Sequence, residues 1–305
     1  MVWRPLEGIG KSGIYGSKGK QTSHACVTYD DKGTAYSGGA NSLIHCWRNR
    51  QLAKAYQVHD SGFVGAIKIF ENRVYSGGKD GCIIISNPNT EEIERRIEVG
   101  SLIRAIDYLD GNIVVGSREG TICEIDQSDT VTTLMNSHSA GEAWGLALTA
   151  DGKIVSSGDD NKIMVWSIYD KRLLGQAIVS EESKKSKRGG ASTLSTLPPS
   201  KCARAVAVNN LNGHVAVASN SGLVTIRESV DALDSEIAKM KHSLEWIEVL
   251  KYSPCGTMLA SGSHDNKIYV YDVDNGYSLK YTCKGHNSYI TSVDWSEDSS
   301  IIRSV

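Results

Sequence analysis

The sequence predicts an all-β fold, a β-propeller of about seven blades, each a four-stranded antiparallel sheet. Three observations predict it: a compact unit of three alternating runs, the even recurrence of that unit, and a polar set that recurs with it. The unit is clearest over residues 138–166, HSAGEAWGLALTADGKIVSSGDDNKIMVW. Alternating runs from Trp144 to Leu148 and from Lys153 to Ser157, and a third ending on Trp166, are separated by turns at Asp151-Gly152 and Asp160-Asn161. Alternation over ~4–8 positions, punctuated by Asp-Gly, marks short antiparallel strands joined by tight turns. One such sheet cannot bury both faces alone and needs neighbours like itself.

The neighbours are present. The residue at the second turn is Asn41, Asp80, Glu119, Asp160, Ser221 and Asp265 in successive units, at intervals of 39, 39, 41, 61 and 44 residues. A period of about 40–45 residues is that of a four-stranded propeller blade. A β-sandwich would not keep so even a spacing over six units.

The polar set is a His before the first strand, a Ser on the second, an Asp in the turn and a Trp on the third, as in WD-repeat blades. His138, Ser156, Asp160 and Trp166 match it in full. His242, Ser261 and Asp265 match with Tyr271 in the Trp place, and His59, Ser76 and Asp80 match with Ser86 there. His24, Ser37 and Trp47 match with Asn41 for the Asp, whereas the units around Glu119 and Ser221 lack the set. A Ser-His-Asp trio on a β protein also suggests a hydrolase. Such a trio occurs once per enzyme, whereas this one recurs blade by blade. The set is therefore expected to be a buried hydrogen-bond network, because buried polar groups must be paired. A hydrolase would need Ser156 and His138 open to solvent.

In chain order, residues 1–24 read as the end of a preceding blade and a linker, with Val2-Trp3-Arg4 as the close of a third strand. The propeller is expected over residues 25–305, as six full repeats and a partial seventh. The units run from Ala25 to His59, from Phe63 to Val99, from Ile103 to His138, from Ala143, from Cys202 to His242, and from Trp246 to about His286. The last stretch, SYITSVDWSEDSSIIRSV, supplies only a first and a second strand. Either the terminal pieces complement each other and close the ring, or missing chain finishes it. Closure removes the open strand edges that invite aggregation. Residues 179–201, VSEESKKSKRGGASTLSTLPPSK, account for the one long interval and read as a mobile polar surface loop. The cluster Lys184, Lys185, Lys187 and Arg188 is a candidate contact for an acidic polymer tail, and Ser183 or Ser186 could switch it by phosphorylation.

Composition narrows the function. Lys plus Arg is 33 and Asp plus Glu is 35, a formal net charge of −2, so no global basic field exists to hold nucleic acid. Seven scattered cysteines without a Cys-x-x-Cys fit reduced thiols in a cytoplasmic protein. No apolar run approaches the ~18 residues of a membrane span. No Walker loop, paired metal-ligand spacing or nucleophile elbow is present; GGKDG and GGANS are hairpin turns that open no helix. No enzyme activity and no cofactor are expected.

Several phrases are more specific than a generic blade. HSAGEAWGLAL, YSPCGTMLASGSHDNKIYVYDV and GHNSYITSVDWSEDSSIIRSV resemble the corresponding stretches of the echinoderm microtubule-associated protein-like family. GIYGSKGKQTSHACVTYDDKGTAYSGGANSLIHCW resembles the link into that family's second propeller. The resemblance covers essentially the whole chain and is strongest at residues 141–166 and 242–305. It implies a second, atypical propeller of a tandem pair, association with microtubules, and further chain after Val305 that helps complete the ring. The sequence shows no coiled-coil heptads and no strongly basic N-terminal region, which in the family supply much of the microtubule affinity.

Binding surfaces are sought where propellers present them, around the central channel. Counting back from each first turn, the innermost strands contribute Ala25, Gly65, Arg104, Trp144, Arg204, Glu248 and Thr291 at one equivalent point. Trp and Arg dominate interface energetics, so Arg104, Trp144, Arg204 and Glu248 are the candidate protein-binding residues. The bland alternative is packing of Trp144 within the channel wall and pairing of the arginines with Glu142 or Glu248. The expected function is a non-catalytic platform of a microtubule-associated protein, monomeric as this fragment, binding tubulin or microtubule-bound partners in the cytoplasm or cytoskeleton, including the spindle or cilium. The alternative is a scaffold for a signalling or assembly complex unrelated to microtubules.

Overall fold

The computed structural model describes residues 14–16, 21–109, 111–136, 138, 142–179 and 203–305. Among them it contains strands and turns and no helix. The first blade is β1 to β4 (His24–Tyr29, Ala35–Gly39, Leu43–Arg48, Gln51–Gln57). The second is β5 to β8 (Val64–Phe70, Arg73–Gly78, Cys82–Ser86, Ile93–Glu98), the third β9 to β12 (Ile103–Leu109, Asn112–Ser117, Thr121–Ile125, Val131–Asn136). The fourth is β13 to β16 (Ala143–Leu148, Lys153–Gly158, Lys162–Ser167, Arg172–Ile178), the fifth β17 to β20 (Ala203–Val208, Val215–Ser219, Val224–Ser229, Ala232–Met240). The sixth is β21 to β24 (Ile247–Tyr252, Met258–Ser263, Ile268–Asp272, Ser278–Cys283), and a two-stranded seventh is β25 and β26 (Val293–Trp295, Ile302–Ser304). Each of the six full blades is an antiparallel meander with strands in sequence order. Turn chemistry sets the hairpins: Gly152 and Asn161 close the two turns of the fourth blade in the left-handed region, at φ +82 and +61.

The ring has seven positions. The first strand of each blade packs on that of the next, and β25 lies between β21 and β1. Side chains of the partial blade hold that junction: Val27 N donates to Ser292 Oγ at 3.1 Å and Tyr29 N to Asp294 Oδ2 at 3.1 Å. Residues 14–16 lie against the first blade, where Ile14 bridges Gln51 in parallel and Tyr15 meets His24. Val2-Trp3-Arg4, and the loop with Lys184, Lys185, Lys187 and Arg188, fall outside the described residues.

The core is the set of seams between blades. Ile44 and Tyr56 of the first blade meet Val64 and Ile84 of the second, and Tyr75 and Ile85 of the second meet Ile103 and Ile113 of the third. Four further clusters fill the remaining seams up to Trp295. Each buried Ile or Val contributes about 1.5–3 kcal/mol, so the blades are stable only as neighbours.

Candidate functional site

A β-bulge recurs near the start of every innermost strand. Pairing with the second strand skips one residue in each full blade: Ala25, Gly65, Arg104, Trp144, Arg204 and Glu248. In the seventh position the amides of Thr291 and Ser292 both donate to Val305 O. A bulge leaves its extra residue unpaired and re-aims its side chain. These are the seven rim positions counted from the sequence.

A second contact fixes the rim. In five blades the residue before the second-turn position donates its amide to the carbonyl two residues before the bulge: Ala40 to Ser23, Lys79 to Phe63, Arg118 to Leu102, Asp159 to Glu142 and His264 to Trp246. Side chains from the second turn and from the strand entrance are thereby brought to the bulge residue. Trp144 Nε1 donates to Asp159 Oδ1 at 2.7 Å, and Glu142 N donates to Asp159 Oδ2 at 2.9 Å. Arg104 approaches the Trp144 ring from the third blade, its guanidinium carbon 4.9 Å from the centroid, and Arg204 approaches from the fifth at 3.6 Å. Arg204 also lies 4.5 Å from the Trp246 ring. Arg104 Nη2 donates to Glu142 Oε2 at 3.1 Å and Arg118 Nε to Glu142 Oε1 at 2.8 Å. Glu248 sits 3.4 Å from Arg204 and 3.3 Å from His264 Nε2. Burial alone would push the Glu248 carboxyl up, but the His264 hydrogen bond and the Arg204 charge hold it below the usual carboxylate range. His264 stacks on Tyr289 with centroids 4.7 Å apart. Cations and rings thus alternate across four blades, and the arc ends on exposed Trp246 and Tyr289.

Arg104, Trp144, Arg204 and Glu248 are therefore brought together, and the pairing of both arginines with glutamates is present alongside their stacking. Sequence reading missed Trp246, His264, Arg118 and Asp159. The signal was available: Glu142 and Trp246 each stand two residues before a bulge, and Arg118, Asp159 and His264 each precede a second-turn residue.

Three residues further along the same strands a second polar layer crosses the channel. Lys68 Nζ lies 3.4 Å from Asp107, and Lys251 Nζ 3.7 Å from Asp294. The nearby Asp107 carboxylate raises Lys68, and the charge of Lys68 is the main cause that lowers Lys251.

The His/Ser/Asp sets divide. His138 Nδ1 meets Asp160 Oδ1 at 2.7 Å and Nε2 meets Ser156 Oγ at 3.1 Å, while Trp166 Nε1 donates to Ser156 Oγ at 3.2 Å. His59 joins Asp80 at 2.9 Å and Ser76 at 3.0 Å, with Ser86 bonded instead to Tyr56. Ser156 and His138 are buried, at 0% and 6% exposure, which is the arrangement of a structural network rather than of a hydrolase. The set in the sixth blade does not assemble. His242 is exposed, Ser261 is buried beside Tyr271 and away from any histidine, and Asp265 accepts from Tyr269 OH at 2.6 Å. The cause lies two residues before the turn. Gly158 and Gly78 occupy that place in the fourth and second blades, where a Cβ would come within 2.5 Å of His138 and 2.4 Å of His59. The sixth blade has Ser263 there, bonded to Ser243 at 2.7 Å, and the histidine is excluded. In the first blade Trp47 Nε1 donates to Ser37 Oγ at 2.7 Å, but His24 pairs with Tyr15 and Asn41 is exposed.

Residues 143–305 match the family model described as the echinoderm microtubule-associated protein second β-propeller. The chain belongs to the echinoderm microtubule-associated protein family. It is 53% identical over 296 residues to the ciliary WD repeat-containing protein ctxp80 of Euplotoides octocarinatus, covering 97% of this chain and 41% of that one. It is 28% identical over 307 residues to echinoderm microtubule-associated protein-like 1 of Mus musculus, covering 96% of this chain and 34% of that one. The chain thus spans about two fifths or less of the length of these curated relatives. Among solved structures, the WD40 β-propeller domain of Doa1 superposes with a TM-score of 0.75 at 17% identity, over 94% of this chain and 90% of that one, a likeness of fold. In this echinoderm microtubule-associated protein propeller, the decorated arc lies mostly inside the matched region, with Arg104 and Arg118 preceding it.

Proposed function

We propose that this propeller is a non-catalytic docking platform of a microtubule-associated protein, and that it binds tubulin or microtubule-bound partners through the rim carrying Arg104, Trp144, Arg204 and Glu248. The observation that carries the reading is the alternation of arginines and tryptophans over four consecutive blades on one face. These are the residue types in which interface energy concentrates. Membership in the family and the ciliary name of one relative support partners of a cytoskeletal kind. The loop with Lys184, Lys185, Lys187 and Arg188 is proposed as an auxiliary, salt-sensitive contact.

The test is co-sedimentation with taxol-stabilised microtubules at low and moderate salt. The wild-type propeller pellets, and the Arg104→Ala/Trp144→Ala double variant loses about tenfold or more in affinity, a hot-spot effect, with its thermal transition retained. Deleting residues 184–188 reduces the salt dependence alone. Pelleting unchanged by the double variant overturns the rim assignment. No pelleting at either salt overturns direct tubulin contact and favours docking of another protein on this platform.

A further inference from the structure

Arg204 is only 8% exposed, yet its hydrogen-bonding capacity is nearly unused. A guanidinium carries five N–H donors. Among the described residues Arg204 has one carboxylate nearby, Glu248 at 3.4 Å, and its buried Nε–H has no partner. Arg104 repeats the shortage: Nη2 donates to Glu142, and its buried Nε–H has no partner among the described residues. The acceptors are already shared, Glu142 with Arg118 and Glu248 with His264. Asp159 is occupied by the Trp144 indole and the Glu142 amide. Donors therefore outnumber acceptors along the arc, and a buried charged donor left unpaired costs free energy that an incoming carboxylate would recover. Beside these cations lie ring surfaces open to solvent, Tyr289 at 51% exposure and Trp246 at 42%.

We propose that this arc takes an acidic, extended segment of a partner protein, whose Asp or Glu carboxylates pair with Arg104 and Arg204 beside Trp144 and whose adjoining apolar side chain lies on the Trp246 and Tyr289 rings. It rests on the docking reading of the same rim and names the chemistry of the partner. A nucleic acid fits less well. Glu142 and Glu248 interrupt the cations, whereas a phosphodiester chain requires a continuous positive track.

The probe is a fluorescein-labelled hexaglutamate peptide carrying one tyrosine, read by fluorescence anisotropy at low and moderate salt. A lysine hexapeptide and a uridine hexanucleotide serve as controls. The acidic peptide binds, and binding weakens with salt. Arg104→Gln weakens it about tenfold, the effect of one charge-assisted pair. Glu248→Gln strengthens it several-fold, because it removes the resident carboxylate competing for Arg204; a lesion of the fold would not raise affinity. Absence of peptide binding, equal binding of the hexanucleotide, or peptide binding indifferent to both variants each overturns the proposal. Microtubule pelleting run in parallel separates the two readings. Pelleting that depends on the rim without peptide binding keeps the platform and removes the acidic segment. Peptide binding with the expected variant effects but no pelleting keeps the segment and removes tubulin.

Discussion

Replacing His138 by Ala should destabilise the propeller far more than replacing His242 by Ala, although the two histidines stand at equivalent places in their repeats. His138 makes one hydrogen bond to the Asp160 carboxylate at 2.7 Å and one to Ser156 at 3.1 Å. A hydrogen bond to a charged group contributes about 1.5–3 kcal/mol and a neutral one about 0.5–1.5 kcal/mol. Asp160 keeps the Lys162 amide and Ser156 keeps the Trp166 indole, which limits the damage. The expected cost is about 2–4 kcal/mol. His242 is exposed and lies tilted against Tyr269 and Tyr271, with centroids 6.2 and 5.6 Å away, so its removal should cost within about 0.5 kcal/mol. Urea titration of the two variants, followed by tryptophan fluorescence, measures both. Equal losses of 2 kcal/mol or more would refute the division between a closed set in the fourth blade and an open one in the sixth.

Three further outcomes follow from the geometry. Asp294→Asn removes the partner of Lys251 and weakens the acceptor of the Tyr29 amide, so stability should fall by about 1–3 kcal/mol, with faster hydrogen exchange at Tyr29. Acid should weaken the fold. Burial first, and then the charge of His45, brings His24 down from 6.5 to about 4, and burial also lowers His45, His59 and His286. The unfolded chain therefore binds protons that the folded chain refuses. Stability is complete above pH 6.5 and declines from there towards about 4, which urea midpoints across that range would show and a flat profile would contradict. Finally, Cys255 should be alkylated first among the described cysteines. Burial alone would raise its thiol, but hydrogen bonds with Ser253, Ser299 and Thr257 bring it down to about 7, whereas burial pushes Cys26, Cys46 and Cys283 up to about 12. Mass-spectrometric labelling at neutral pH reads the order, and preferential labelling of Cys283 would contradict it.

The architecture was legible because it rests on periodicity. The turn residues Asn41 to Asp265 mark the hairpins of successive blades, and the strand patterns fix which faces fill the seams. The rim positions were legible for the same reason, since an equivalent point on every first strand is the bulge. What the sequence concealed was which rim residues meet others. Trp246, Arg118 and His264 reach the rim through the hydrogen bond between the second turn and the strand entrance, a contact spanning 16 to 18 residues. The rim is also unevenly equipped for reasons of packing. A Cβ on Gly65 would meet the Ile103 carbonyl at 2.5 Å, so the second blade has no room for a side chain there. The charged and aromatic types fall instead on Arg104, Trp144, Arg204 and Glu248, in consecutive blades on one side of the ring.

The difference between the blades can be reversed at one glycine. In the fourth blade a Cβ at residue 158 would stand 2.5 Å from His138 Cγ and 2.9 Å from the Glu142 carbonyl, and neither atom is the far end of a flexible chain. Gly158→Ser therefore imposes the sixth-blade arrangement, in which the serine fills the space and the histidine turns out to solvent. The cost should match that of His138→Ala, about 2–4 kcal/mol, because the same two hydrogen bonds are lost. The two changes share the contact with the imidazole, so they should be strongly non-additive: once His138 is Ala, only the closeness to the Glu142 carbonyl is left to cost Gly158→Ser. A double-mutant cycle by urea titration gives the coupling, and a coupling near zero would refute the steric account. It would mean that residue 158 acts through its backbone rather than through the room it leaves for the imidazole. In this chain the two closed sets are His, Ser and Asp with a glycine two residues before the Asp. The second and fourth blades hold their histidines, and the sixth, with Ser263, gives its histidine up.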